Sequence, residues 1–90
     1  MPTTKSAKKR LRQSQERRLR NRSARSTLRT HIRRVLAAVT ENDPVKAREE
    51  LRLTTIKLDR AGTRGLIHRN KAARIKSRLV HRIKMLETQG

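Results

Sequence analysis

Ninety residues without cysteine, phenylalanine, tyrosine or tryptophan exclude disulfides, thiolate metal sites, catalytic thiols and any core built on aromatic rings. Lysine and arginine number 26 against seven acids, a formal charge of +19, which opposes compaction of the free chain and points to a polyanionic partner. The longest apolar run, Val35 to Val39, is too short for a membrane span or a signal-peptide core.

Residues 1–40 hold 13 bases and one acid, Glu16. In the first twenty or so, only Leu11 and Leu19 stand as large apolar residues among polar ones. Arg, Lys, Gln and Leu favour helix, but this stretch has little to bury against its own chain. Residues 1–23 are therefore expected to form a projecting basic arm, disordered alone and helical when bound. Lys5, Lys8, Lys9, Arg10, Arg12, Arg17, Arg18, Arg20, Arg22 and Arg25 surround the helix, with Ser6, Ser14, Asn21, Ser23 and Ser26 between them. A groove or a gap between nucleic-acid helices would use all sides of such an arm, whereas a flat partner would use half. The stretch also looks like an organellar transit peptide, but the basic pattern runs on into the part expected to fold.

From Ala24 an apolar stripe begins: Ala24, Leu28, Ile32, Val35, Leu36 and Val39 keep the three-and-four spacing of one helical face. The helix breaks at "TENDPVK". There Asp43 is the expected N-cap of a second helix and Pro44 suits its first position. Glu49 and Glu50 are expected near the positive end of its dipole. This helix is expected to bury Ala47, Leu51, Thr54 and Leu58, with Leu53 and Ile56 at the edges. Residues 41–61 carry five acids and five bases, so the second helix is neutral and is expected to back the bundle towards solvent. "AGTRG" ends it, with Gly62 expected as the C-cap and Gly65 permitting the reversal.

A third helix is expected from about Leu66 or Ile67, with the stripe Ala72, Ile75, Leu79, Ile83 and Leu86, and Val80 on its flank. Placed at 100° steps, that stripe fills an arc of about 80°, and Lys71, Arg74, Arg78 and Arg82 line up beside it without an acid. A merely solvated helix mixes signs at three- and four-residue spacing. An acid-free row is better explained as a phosphate-contacting face. Three amphipathic helices with short connections give the expected fold: all-α, an up-down-up antiparallel bundle over residues 24–90, with a long basic first helix projecting from it.

His31, His68 and His81 lack metal-ligand spacing, and no carboxylate pair or Ser/His/Asp arrangement is visible. No catalysis, metal or cofactor is expected. His68 at a helix start fits capping or donation to a phosphate, and Asn70 offers an amide. Charge alone does not separate RNA from DNA, and a nucleoid-type DNA-binding protein shares it. A membrane-surface helix would carry boundary aromatics that this chain lacks. Without aromatics to stack single-stranded bases, recognition of folded backbone shape remains, gripped by planar arginine forks.

"KSAKKR", "RNRSARSTLRTHIRRV" and above all "RGLIHRNKAAR", Arg64 to Arg74, resemble the bacterial small-subunit ribosomal protein numbered twenty over nearly the whole chain. The resemblance implies a three-helix bundle with a long first helix. It also implies a cytoplasmic structural component of the ribosome, bound directly to 16S ribosomal RNA, with no small-molecule substrate, no membrane and no homo-oligomer. Lys5, Ser6, Lys8, Lys9 and Arg10 match the family's RNA-inserted start; His68, Arg69, Asn70, Lys71 and Arg74 match its loop-to-helix motif. With them the expected RNA-binding set comprises Arg12, Arg17, Arg18, Asn21, Arg22, Arg25, Arg29, Arg64, Arg78 and Arg82. The chain is richer in Arg than the family pattern, and its second helix is the least family-like part.

Overall fold

The computed structural model describes residues 4–89. Among these there are three helices and no strand: α1 (Lys5–Thr40), α2 (Pro44–Thr63) and α3 (Arg69–Gln89). Each start and stop has a local chemical cause. Thr4 caps α1, its hydroxyl accepting from the Ala7 N–H at 3.1 Å. Asp43 caps α2 by accepting from the Lys46 N–H at 3.0 Å, and Pro44 occupies the first turn, where no amide hydrogen is needed.

Both turns are closed by paired reverse hydrogen bonds around one left-handed residue. At the end of α1, Asn42 has φ 57°; its N–H donates to the Val39 carbonyl and the Asp43 N–H to the Ala38 carbonyl. At the end of α2, Gly65 has φ 74°; its N–H donates to the Gly62 carbonyl and the Leu66 N–H to the Ala61 carbonyl. Gly65 therefore takes the role expected of Gly62. Gly62 lies inside the helix with Ala72 and Arg69 across from it, a Cβ there meeting atoms at 3.7 Å.

The third helix begins at Arg69 rather than Leu66 or Ile67. Leu66 and Ile67 instead turn inwards, packing against the buried Leu28, Leu58, Ala61 and Ala72, and this use as a hydrophobic plug draws them out of helical register. Glu49 and Glu50 fall in the second turn of α2, since its first turn holds no acid.

The helices run up, down, up. Val35 and Ala38 of α1 share a buried cluster with Ala47 and Leu51 of α2 and with Leu79 and Ile83 of α3. Ile32 and Ile75 touch both this cluster and the one around Leu58, making one continuous seam. Every buried apolar residue is an Ala, Val, Leu or Ile. The one buried polar side chain among the described residues, Thr54, has its hydroxyl within 2.8 Å of the Glu50 carbonyl and 3.2 Å of the His31 carbonyl on α1, so its burial leaves no lone group.

Packing joins α1 chiefly to α2 and α2 to α3, with α1 and α3 in slighter contact. The 36 residues of α1 extend about 54 Å at 1.5 Å per residue, whereas the 20 of α2 extend about 30 Å. Hence the molecule measures 65 × 22 × 16 Å. The excess is the N-terminal half of α1: every residue from Lys8 to Ser23 is exposed, and burial begins at Ala24 and Leu28.

Candidate nucleic-acid interface

The orientation of α3 follows from two ion pairs. Arg48 of α2 grips Glu87, with Nε on Oε1 and Nη2 on Oε2, the latter at 2.8 Å. Lys76 lies 3.5 Å from Asp59 of α2. Lys76 and Glu87 lie on one side of the apolar stripe, so that flank of α3 faces α2. Lys71, Arg74, Arg78 and Arg82 lie on the other side, all exposed. In a three-helix bundle the flank turned away from α2 borders α1. The Arg48 contact also acts on titration: its hydrogen bonds to Glu87 hold that carboxyl below its usual range, aided by the positive charges of Arg48 and Lys84 against some desolvation. The same contact raises the Arg48 guanidinium.

On α1, Arg18, Arg22, Arg25 and Arg29 follow four-, three- and four-residue steps and remain exposed. They line one shallow concavity together with Ser14, Arg17 and Asn21. Arg25 reaches over the α2–α3 connection, Nη2 donating to the Leu66 carbonyl at 3.5 Å, so this row leans towards the start of α3. Arg25 thus brings the arginine row of α1 to the connection that leads into α3.

The connection itself carries the motif residues. Arg64 is the C-cap of α2 and exposed. His68 precedes α3 and accepts from the Asn70 N–H through Nδ1 at 3.1 Å, while its carbonyl accepts from the Ala72 N–H. Nδ1 is therefore an acceptor, leaving Nε2 as the hydrogen-bearing nitrogen. Arg69, Asn70 and His68 are exposed where α3 begins.

The start of the arm is less connected to the rest. Lys5, Ser6, Lys8, Lys9, Arg10 and Arg12 are exposed on the first turns of α1, with the Ser6 and Thr4 hydroxyls 3.2 Å apart at the cap. The histidines do not converge: His31 lies half-buried against α2 and His81 is exposed on α3. Among the described residues no group of three His, Asp or Glu could hold a metal ion, and no helix is long and apolar enough to cross a membrane.

Three cations outside the expected set lie beside Arg17, Arg25 and Arg64: Arg20 of α1 and Lys57 and Arg60 of α2, around one open cleft of about 510 Å³. Their signal in the sequence is the three-and-four spacing Lys57, Arg60, Arg64. It is masked by the balance of five acids and five bases over residues 41–61. No acid lines the cleft: Asp59 faces Lys76, and Glu41 pairs with Lys46 at the opposite end of the bundle.

Comparison with known proteins adds an independent finding. The family model described as ribosomal protein S20 matches residues 2–84. The chain is 55% identical over 84 residues to a small ribosomal subunit protein bS20 of Rhodopirellula baltica, covering 93% of each chain. It is 51% identical over 86 residues to the protein of that name from Colwellia psychrerythraea, covering 96% of this chain and all of the relative. The corresponding protein of Shewanella woodyi is 50% identical over 86 residues, 96% of this chain and 98% of its own.

Proposed function

This chain belongs to the ribosomal protein S20 family, and from that premise we propose that it is a structural constituent of the small ribosomal subunit. It binds 16S ribosomal RNA directly and stabilises the folded body of that RNA in the cytoplasm, without catalysis and without a cofactor. The observation that carries this reading is a pair of exposed, acid-free basic rows, Arg18, Arg22, Arg25 and Arg29 on α1 and Lys71, Arg74, Arg78 and Arg82 on α3. Two parallel rows of guanidinium and ammonium groups suit the phosphates bordering an RNA groove, and arginine adds a bidentate grip on each.

In this reading residues 1–23, of which 1–3 lie outside the described residues, insert between RNA helices, since cations ring α1 there and every residue from Lys8 to Ser23 is exposed. Lys71, Arg74, Arg78 and Arg82 take a second run of backbone. His68, through Nε2, and Asn70, through its amide, fix the register where α3 begins. Each neutralised phosphate releases a condensed counterion, so affinity falls steeply with salt.

The test is competition at fixed salt between a folded fragment of small-subunit RNA and duplex DNA, with co-sedimentation on the subunit as the second readout. RNA is expected to win; preference for duplex DNA would instead make this a nucleoid-type DNA-binding protein. Charge reversal at Arg74 or Arg78 is expected to flatten the log–log salt slope by roughly 0.7–0.9 for each phosphate no longer neutralised. Reversal at Arg52, exposed on α2 away from both rows, is expected to leave the slope unchanged. Equal effects at Arg52 and Arg74 would refute this orientation.

A further inference from the structure

Six cations from two helices converge on the cleft between the middle of α1 and the C-terminal half of α2: Arg17, Arg20 and Arg25 on one wall, Lys57, Arg60 and Arg64 on the other. None pairs with a carboxylate among the described residues; the ion pairs there are Lys46–Glu41, Arg48–Glu87 and Lys76–Asp59. The floor is apolar, formed by Ala24, Leu28, Ala61 and Leu66, and no acid lines it. We propose that this cleft seats one turn of the ribosomal RNA phosphodiester backbone, gripped from both sides, so that α2 contributes directly to RNA binding through Lys57 and Arg60. The proposal rests on the RNA-binding function above and extends it to the charge-balanced stretch, residues 41–61.

The chemistry favours a backbone turn over a base. No aromatic ring is available for stacking, while cations on opposing walls can hold the two free oxygens of a phosphate at once. The end of α2 does not oppose the anion with bare carbonyls. Those of Arg60, Ala61 and Gly62 are taken by the N–H groups of Arg64, Leu66 and Gly65. Left empty, the cleft keeps like charges together in one small space, and an anion removes that repulsion. The expectation from sequence turned the whole second helix, Lys57 and Arg52 alike, towards solvent. The fold separates them, because Lys57 borders the cleft and Arg52 does not.

The experiment compares Lys57→Ala, Arg60→Ala and Arg52→Ala in the full chain, each removing one positive charge from the same helix. Binding to folded small-subunit RNA is measured across a salt series, with circular dichroism confirming unchanged helicity, and Arg74→Glu is included alongside. Lys57→Ala and Arg60→Ala are expected to bind about three- to tenfold more weakly and to flatten the salt slope by roughly 0.7–0.9 each, with Arg52→Ala within twofold of the parent. If all three match the parent while Arg74→Glu weakens binding, the cleft is not a seat and the RNA-binding reading stands. If the parent itself shows no preference for RNA over duplex DNA, that reading fails and the cleft assignment with it. Equal weakening on RNA and on duplex DNA would overturn the assignment to a folded RNA turn.

Discussion

Replacing Leu58 with alanine removes a fully buried leucine from a small cluster and tests how the bundle is held together. Leu58 is fully buried and packs among Leu28, Ala61 and Ala72. The two alanines cannot fill the gap, while Leu66, Ile67, Ile32 and Ile75, which pack against the same cluster, can relax into only part of it, so some void should persist. Leucine-to-alanine changes in packed sites cost about 2–5 kcal/mol, more where the site cannot collapse, which gives about 3 kcal/mol here. For a domain of this size each kcal/mol moves the melting midpoint by about 4–8 °C, giving a fall of roughly 12–24 °C. The same substitution at Leu53, 41% exposed on α2, should cost under about 1 kcal/mol. At Leu19, 65% exposed on the arm, it should cost nothing measurable, since alanine is the better helix former. The assay is thermal melting by far-ultraviolet circular dichroism in sulfate buffer, where excluded anions and charge screening supply a clear folded baseline. A Leu58→Ala midpoint no lower than that of Leu53→Ala would refute the assigned core. A comparable destabilisation at Leu19 would mean that the arm packs on the bundle.

Two glycines three residues apart should respond in opposite senses. Gly65→Ala forces a β-carbon onto φ 74° and should destabilise by about 1 kcal/mol, while Gly62→Ala, inside α2 with ordinary 3.7 Å contacts, should stabilise by about 0.5–1 kcal/mol; two melting curves decide it. The Arg48 contact depresses the Glu87 carboxyl below its ordinary value of 4.5. Its contribution is therefore complete above pH 4.5 and disappears as pH falls through the lower folded value. Between about pH 5 and pH 3 the parent melting midpoint should drop further than that of Glu87→Gln; parallel titrations would rule the pair out as a source of acid sensitivity. For the arm, helicity measured by circular dichroism at physiological salt should rise when folded small-subunit RNA is added. Full helix in the free protein would contradict ordering on binding.

Much of this protein was legible in one dimension because its cues are local. The three-and-four spacing from Ala24 to Val39 and from Ala72 to Ile83 specifies one apolar face per helix, and a helix carries that face wherever it goes. Asp43 and Pro44 mark the start of α2 through chemistry within one turn. The exposed arm was readable for the converse reason, since a segment with two large apolar residues has nothing to bury. The acid-free row on α3 needed only helical geometry.

Other features depended on which elements meet. Gly62 and Gly65 are both plausible helix terminators in a string of letters; the inward packing of Leu66 and Ile67 carries α2 to Thr63 and delays α3 to Arg69. Net charge along the chain made residues 41–61 balanced and uninformative. Folding sorts those charges by direction, turning Arg48 and Asp59 towards α3 and setting Lys57, Arg60 and Arg64 opposite Arg17 and Arg20. Sequence alone therefore determined the helices, the arm and a cationic partner surface, because each follows from neighbours within a turn or two. Only the tertiary structure decided which flank of each helix stays open and which cations from different helices share one cleft, because those depend on residues some forty positions apart in the chain.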